Sequence, residues 1–174
     1  MIKYFDFENE IENIDNLILS LDNEDKDNSN KIDKLRNEKQ KIFKKIYSNL
    51  NPWQKVQISR HNDRPHTLDY INYIFADLVY LHGDKKFADD NAVIGCLGKL
   101  NNQSVMLLGT EKGNSMESRI KHNFGMAKPE GYRKAQRLIL LAEKFNLPVI
   151  SFIDTAGAFP GKDAEERGQS ESIA

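Results

Sequence analysis

Residues 148–174 read PVISFIDTAGAFPGKDAEERGQSESIA, and their pattern of a strand, a loop and a helix indicates the fold class. It begins with the short apolar run Val149–Ile153, which is typical of a buried strand. A loop with glycines, Asp154–Gly161, follows directly, and residues 164–174 predict the start of a helix. A strand that leads through such a loop into a helix is the repeating step of an α/β fold. In open α/β sheets this loop lies at the edge where ligands bind.

Two further apolar runs lie upstream, at Ala92–Leu100 and Ser104–Gly109. Asn101-Asn102 stands between them, and because asparagine tolerates positive φ this pair favours a tight hairpin. A helix is predicted to begin at Pro129, since proline suits the first helical position, and to end at residues 146–148. The order strand, strand, helix, strand predicts an α/β domain with at least one parallel crossover.

Helices are predicted before this domain as well. Thr67 predicts the start of a helix that continues through Leu81 and ends at Gly83, because apolar residues recur there at helical spacing. Residues 1–50 predict a helical hairpin, because two segments each place apolar residues on one face. The face of the first segment comprises Ile11, Ile14, Ile18 and Leu21.

The connection within this hairpin is predicted from the residues that lack apolar side chains. The segment Asp22–Lys31 contains no apolar side chain and therefore predicts a loop, with Asn30 as the N-cap of the second helix. Asn51-Pro52 is expected to end that helix and to start a short new one.

The composition excludes several classes of protein. The chain has 174 residues, a net charge of −1 and one cysteine, Cys96. A single cysteine excludes an internal disulfide framework and a multi-cysteine zinc site, and we expect it to be a buried structural thiol. A near-neutral charge makes a nucleic-acid partner unexpected. No signal-peptide core and no apolar run of membrane-spanning length is present, so a cytoplasmic location without membrane attachment is expected.

The charge is uneven along the chain. Seven basic and three acidic residues give the segment Glu111–Arg137, here called the basic segment, a charge of +4 and leave −5 for the rest. One interpretation is a solvated helix face, and the other is a surface that meets phosphates or an acidic partner.

Two motif-based functions are excluded by spacing. The sequence DTAG at Asp154–Gly157 fits a GTPase only if a GxxxxGK[ST] phosphate loop precedes it. Gly98-Lys99 is the nearest candidate, but Leu100 follows it and Val93 occupies the place of the first glycine. A hydrolase needs a nucleophile with a base, and no G-x-S-x-G surrounds Ser151 or any other serine. The histidines are scattered, so we predict neither an acid–base residue nor a metal site.

Backbone chemistry is what remains. Gly125-Met126 stands just ahead of a predicted helix N-terminus, and Gly157 and Gly161 stand just after a predicted strand. Loops of this kind expose amide N–H groups, and a helix N-terminus adds positive partial charge. These groups can hold a carbonyl that becomes an oxyanion or enolate, and they favour an acyl-thioester or carboxylate ligand.

The sequence resembles the alpha subunits of bacterial acetyl-CoA carboxylase carboxyltransferases. The resemblance covers essentially the whole chain, and its motifs are highly specific in combination. They are SRHNDRPHTLDYI (Ser59–Ile71), FADDNAVIGCLGKL (Phe87–Leu100), NFGMAKPEGYRKAQRL (Asn123–Leu138) and PVISFIDTAGAFPGKDAEERGQSESIA (Pro148–Ala174). One departure is Ala156, where the family commonly has proline.

The resemblance implies a crotonase-like α/β fold of stacked ββα units behind an N-terminal helical hairpin. It divides the chain into the hairpin at residues 1–50 and the first part of a carboxyltransferase domain at residues 51–174. The implied reaction moves a carboxyl group from carboxybiotin, carried on the biotin carboxyl carrier protein, to acetyl-CoA. The product, malonyl-CoA, commits carbon to fatty-acid biosynthesis. The implied partners are a beta subunit, in an α2β2 assembly, the carrier protein and the biotin carboxylase component.

The resemblance also implies which residues line the cleft. These are Gly125, Met126, Ala156, Gly157, Ala158, Phe159 and Gly161. Arg133 and Arg137 are weaker candidates, which face either a partner or phosphates, or simply the helix surface. In the family, a glycine-rich GGxGGSGGA segment that supplies this subunit's oxyanion hole follows the last helix. The sequence stops before it, so we expect a fragment that is inactive alone and that aggregates or depends on a partner through an uncovered sheet.

Two alternatives to this function stay open from the sequence. One is another crotonase-like enzyme that acts on a CoA thioester, such as a hydratase or a decarboxylase. The other is a non-catalytic docking or regulatory module that binds through the basic segment.

Overall fold

The computed structural model describes residues 3–22 and 28–174. The chain divides into two compact units, Met1–Arg64 and Pro65–Ala174. The domain boundary predicted after residue 50 follows the sequence alone and stays a prediction.

The described part of the first unit is helical, with α1 (Asn9–Asp22), α2 (Ser29–Ser48) and α3 (Pro52–Ser59). Ile11, Ile14 and Ile32 are buried between α1 and α2, as the apolar spacing predicts. The Lys39 ammonium of α2 also binds the Asp15 carboxylate of α1 at 2.6 Å. The helical hairpin is therefore present, held by an apolar seam and an ion pair.

The ends of these helices differ in part from the prediction. Residues 23–27 of the predicted loop lie outside the described residues. The N-cap of α2 is Asn28 rather than Asn30, because the Asn28 amide donates to the Leu21 carbonyl at 3.2 Å and so ties the start of α2 to the end of α1. Asn51 caps α3 as predicted, accepting from the Gln54 N–H at 2.9 Å.

The second unit is built on a four-stranded sheet in the order β1-β2-β3-β4. Its strands are β1 (Ala76–Tyr80), β2 (Val93–Leu100), β3 (Gln103–Thr110) and β4 (Val149–Phe152). β1 and β3 each run antiparallel to β2, and β4 runs parallel to β3. Asn101 and Asn102 adopt φ values of 48° and 66°, which is the tight hairpin turn that their sequence predicts.

Helices cover both faces of this sheet. These are α4 (Thr67–Ile74) and α6 (Pro129–Lys144), and the unit also contains α5 (Met116–Lys121), α7 (Lys162–Glu166) and α8 (Gln169–Ile173). Leu138 of α6 packs with Met106 and Leu108 on one face, whereas Ile71 of α4 packs with Leu107 on the other. The crossover from β3 through α6 to β4 therefore sets the two parallel strands side by side.

The helix predicted from Thr67 to Leu81 is wrong in its second half. α4 ends at Ile74 and β1 begins at Ala76, where Tyr80 pairs with Cys96 of β2. Pairing with β2 satisfies backbone groups that β2 would otherwise present unpaired on that side, so the tertiary context overrides the helical spacing.

The helix predicted for residues 164–174 is present as two short helices rather than one. Gly168 separates α7 from α8 in a left-handed conformation with φ of 81°. Across the described ranges 3–22 and 28–174, every helix is too short or too polar to cross a membrane.

Candidate functional site

Two loops meet at one end of the sheet. β3 and β4 are parallel neighbours, and Gly109 pairs with Phe152 at their ends. The loop that follows β3 reaches α6 through residues 122–128, and the loop that follows β4 comprises residues 153–161. We call these the 122–128 loop and the 153–161 loop. Their position is the edge of an α/β sheet at which ligands bind.

Direct hydrogen bonds join the two loops. Ala127 and Ala158 form an isolated parallel bridge, in which the Phe159 N–H donates to the Ala127 carbonyl at 3.0 Å. The Thr155 hydroxyl donates to the Gly125 carbonyl at 2.6 Å. The same hydroxyl accepts from the Gly157 N–H at 3.0 Å. The structure thus brings together the two loops that contain every cleft residue predicted from the sequence.

The backbone of both loops is in unusual conformations. Asn123, Phe124 and Gly125 are consecutive left-handed residues with φ of 48°, 56° and 79°. A side chain on Gly125 would meet the Lys112 stem, 2.7 Å from the place of its Cβ. Gly157 has φ of 144° with open space around it. Strained backbone of this kind concentrates at ligand clamps and active sites.

The predicted cleft residues differ in exposure. Gly125 is buried, Met126, Ala158, Phe159 and Gly161 are half-buried, and Ala156 and Gly157 are exposed.

The supply of free amide donors is smaller than the sequence predicts. The N–H groups of Gly125 and Met126 donate inside the tight 122–126 turn, and those of Gly157 and Phe159 are used within and between the loops. Among the described residues, no acceptor takes the N–H of Ala156 or Ala158. The N–H groups of Thr155 and Gly161 likewise have no acceptor there, so the candidate donors of the 153–161 loop are the amides of Thr155, Ala156, Ala158 and Gly161.

Two lysines, Lys112 and Lys128, flank the loops, and no role at the site was predicted for them from the sequence. The Lys112 ammonium pairs with the Asp154 carboxylate, and the Asp154 N–H donates to the Thr110 hydroxyl at 2.7 Å. The Lys128 ammonium lies over the Phe159 ring, 4.7 Å from its centroid. Lys112 follows β3 directly and Asp154 follows β4, so the parallel order of these strands was the signal that could have placed them together.

Arg133 and Arg137 both bind backbone carbonyls of their own unit. Arg133 donates to the Arg167 carbonyl at 2.6 Å, which fastens α6 to the end of α7. Arg137 donates to the Gly83 carbonyl at 2.9 Å and to the His82 carbonyl at 3.1 Å. These contacts indicate a role in holding the fold, which none of the interpretations from the sequence included.

A charged cluster that includes the buried residues Asp90 and Lys134 contacts the 122–128 loop. It was not predicted from the sequence. The Lys134 ammonium, on α6, binds the Asp89 carboxylate at 2.6 Å and the Asp90 carbonyl at 2.7 Å. Burial opposes ionisation of Asp89, but the bonds from Lys134 and the Gly83 N–H outweigh it and lower its pKa to about 2. Burial raises the pKa of Asp90 in spite of the N–H groups that bind it. The sequence signal that could have revealed this cluster is a lysine on the buried face of α6.

The basic segment is consequently not an open basic surface. Lys112, Arg133, Lys134 and Arg137 each bind a carboxylate or a backbone carbonyl of the same unit. The interpretation of this segment as a docking surface therefore has little support in the structure.

Comparison with known proteins gives close relatives that are longer than this chain. A carboxyl transferase subunit alpha of acetyl-coenzyme A carboxylase from Francisella philomiragia is 54% identical, over 99% of this chain and 56% of the relative. The subunit of the same name from Francisella tularensis subsp. novicida is 55% identical over the same shares. The chain thus spans little more than half the length of these curated relatives.

Two solved structures resemble the fold. A single-chain, multi-domain long-chain acyl-CoA carboxylase superimposes with a TM-score of 0.52 at 22% identity, over 65% of this chain and 11% of that chain. Transcarboxylase 12S, solved with hydrolysed methylmalonyl-CoA bound, gives a TM-score of 0.52 at 18% identity, over 64% of this chain and 20% of that chain. The crotonase-like α/β fold predicted from the sequence is thereby confirmed.

The family description "acetyl co-enzyme A carboxylase carboxyltransferase-like" matches residues 4–174. The match covers both compact units and both loops of the candidate site. The chain therefore belongs to the acetyl-CoA carboxylase carboxyltransferase-like family.

Proposed function

We propose that the protein of which this sequence is a part is the carboxyltransferase alpha subunit of acetyl-CoA carboxylase, acting in the cytoplasm. It transfers a carboxyl group from carboxybiotin to acetyl-CoA and yields malonyl-CoA for fatty-acid biosynthesis. The observation that carries the proposal is the identity of 54% to 55% over 99% of the chain with curated alpha subunits.

The proposed partners are those that the family resemblance implies. The alpha subunit assembles with a beta subunit as α2β2 and receives the carboxyl group from the biotin carboxyl carrier protein. The carrier is charged by the biotin carboxylase component. The cleft residues are those of the two loops: Gly125, Met126, Ala156, Gly157, Ala158, Phe159 and Gly161.

The chemistry that these loops offer is stabilisation of developing negative charge by fixed N–H groups. In the proposed reaction, the acetyl methyl group loses a proton and forms a C–C bond to the carboxyl carbon, while the N–C bond to biotin breaks and the biotin nitrogen takes up a proton in return. Negative charge develops on the thioester oxygen as the proton leaves. The family that the chain resembles commonly has proline, which carries no N–H, at position 156. Of the remaining amides we take the N–H of Ala158, which is half-buried and forms the bridge to Ala127, as the donor that the 153–161 loop adds to the glycine-rich segment implied by the resemblance.

A pair of proline substitutions in the full-length alpha subunit, assembled with its beta subunit, tests this proposal. The assay measures malonyl-CoA formed from acetyl-CoA and carboxylated carrier protein. Ala158→Pro removes the proposed donor, and we expect kcat to fall about 10²–10³-fold, as when one oxyanion-hole donor is lost. Ala156→Pro is the matched control in the same loop and should keep kcat within about twofold of wild type.

Two results would contradict the proposal at different levels. A wild-type complex that forms no malonyl-CoA, or that hydrates or decarboxylates CoA thioesters without biotin, refutes the function. Equal activity of both proline variants, at equal melting temperature, refutes the role of the Ala158 N–H alone.

A further inference from the structure

The conformation of the 122–128 loop needs an explanation outside the loop. Asn123 and Phe124 both have positive φ, and Phe124 is an aromatic residue that rarely adopts it. A left-handed aromatic residue is strained and persists only where the surroundings impose the conformation. Asparagine tolerates positive φ, but an aromatic residue does not, so the sequence alone does not account for the conformation of Phe124.

The Asp90 carboxylate holds both ends of this loop. Its Oδ1 accepts from the Asn123 side-chain amide at 3.0 Å, at the start of the left-handed run. Its Oδ2 accepts from the Lys128 N–H at 2.8 Å, at the residue that caps α6. Oδ1 also accepts from the Ala92 N–H at 3.0 Å, which fixes the carboxylate relative to the start of β2. One side chain therefore spans the loop between residues 123 and 128.

Asp90 is itself fixed from the opposite side. It is 3% exposed, and Lys134, which is 2% exposed, donates to its carbonyl at 2.7 Å. Gly131 of α6 makes room for the carboxylate, because a Cβ there would lie 2.5 Å from Oδ2. α6 thus accommodates Asp90 with a glycine and binds it with a buried lysine one turn later.

We propose that Asp90 is a positioning residue for carboxyl transfer, which sets the 122–128 loop against the 153–161 loop. The inference rests on the proposed function, since it assigns Asp90 a part in that reaction. Asp90 acts through the loop, and the loop acts through the contacts that Gly125 and Ala127 make with Thr155 and Phe159. Its carboxylate is occupied by three protein donors and does not contact substrate in this role.

The test compares three variants of the full-length alpha subunit in complex with its beta subunit. Asp90→Asn removes the charge and one acceptor at nearly constant volume. Asn123→Ala cuts the contact with the loop and leaves the buried carboxylate in place. Asp84→Asn is the matched control, because Asp84 is also a buried aspartate, 4% exposed, whose Oδ1 accepts three backbone N–H groups. Those groups belong to residues 86–88, away from both site loops.

Two readouts separate positioning from general stability. We expect kcat to fall about 10- to 100-fold in Asp90→Asn and about 10-fold in Asn123→Ala, since small misplacements of a site loop cost rates of this order. The control should stay within about twofold of wild type while losing as much melting temperature as Asp90→Asn. Amide hydrogen exchange at Gly125 and Met126 should accelerate in Asp90→Asn and Asn123→Ala, here called the loop variants, and not in the control.

Each outcome decides one of the two proposals. If the wild-type complex transfers carboxyl groups and the loop variants match the control in kcat and exchange, the inference about Asp90 is overturned. If Asp90→Asn does not assemble, Asn123→Ala decides by the same criteria. If the wild-type complex is inactive, the proposed function fails, and the Asp90 inference about the reaction fails with it.

Discussion

The pKa values of Cys96 and Asp89 are shifted in opposite directions. Cys96 lies in β2 with no exposed surface, and burial alone raises the pKa of its thiol to about 11. The thiol is therefore protonated at neutral pH, which fits the buried structural role predicted from the sequence. Asp89 is only partly buried, with 29% of its side chain exposed, and its pKa falls to about 2 because Lys134 and the Gly83 N–H bind the charged form. Partners, and not burial alone, determine which charge state the fold stabilises.

The Asp89 carboxylate makes the stability of the fold depend on pH. Its pKa in the folded state, about 2, lies below the unfolded value of about 3.9, so its contribution is present above pH 4 and is lost as pH falls towards 2. We expect Asp89→Asn to lower the free energy of unfolding by about 2–4 kcal/mol at pH 6, because Lys134 then keeps a buried charge with one partner fewer. The difference from wild type should shrink clearly at pH 3.

Urea unfolding of both proteins at pH 6 and pH 3 measures this difference. A deficit of the same size at both pH values would show that the Asp89 carboxylate does not titrate with the folded state.

At the scale of elements, local patterns predicted the structure wherever one segment determines it. The β2–β3 hairpin, α6 and β4 form as expected, because Asn101-Asn102, Pro129 and the apolar run at Val149 each act over a few residues. The segment after Ile74 could not be predicted in this way. Its apolar spacing suits a helix, but its backbone pairs with β2, which lies about 20 residues away in sequence.

The candidate site shows the same division between local and distant information. Glycines in sequence marked both loops, and both loops do meet. The groups that set their geometry lie far apart in sequence, as with Thr155 and Gly125 or Asp90 and Lys128. Single-sequence patterns contain no signal for such pairs, so the contacts of Asp90 became visible only in the structure.

Close packing of α6 on β2 depends on the absence of a side chain at Gly95. A Cβ there would overlap Cδ1 of Leu138, which has no exposed surface and little room to move. We expect Gly95→Ala to lower the free energy of unfolding by about 1–3 kcal/mol through overpacking. In a Leu138→Ala background, the same substitution should be nearly neutral, because the clashing methyl group is gone.

A double-mutant cycle by urea unfolding measures the coupling between the two positions. Additive effects of Gly95→Ala and Leu138→Ala would contradict the proposed close approach of α6 to β2.

At the scale of the whole molecule, charge and apolar surface are distributed differently. Buried charges near the site are paired, as with Lys134 and Asp89 or Arg167 and Glu130 at 2.5 Å. Apolar side chains on α6 and directly after β4 are not covered within the described residues, since Leu140 is 59% exposed and Ile153 is 84% exposed. The uncovered sheet edge and apolar face expected from the sequence stay a prediction, and Ile153 next to β4 and Leu140 on α6 are the exposed residues that can test it.

Exposed apolar residues of this size favour association of the isolated 174-residue chain. We expect Leu140→Lys combined with Ile153→Lys to raise the concentration at which the chain stays monomeric, because the substitutions remove apolar contact surface and add charge. The free energy of unfolding should change by less than about 0.5 kcal/mol per substitution, since both positions are exposed. Gln136→Lys, also on the exposed surface of α6, adds one positive charge, where the double variant adds two, without removing apolar surface and serves as control. Light scattering across a concentration series measures the effect.

Two outcomes would contradict this prediction. If Gln136→Lys suppresses association as well as the double variant does, net charge and not the apolar surface controls association. If none of the variants differs from wild type, the side chains of Leu140 and Ile153 do not mediate association.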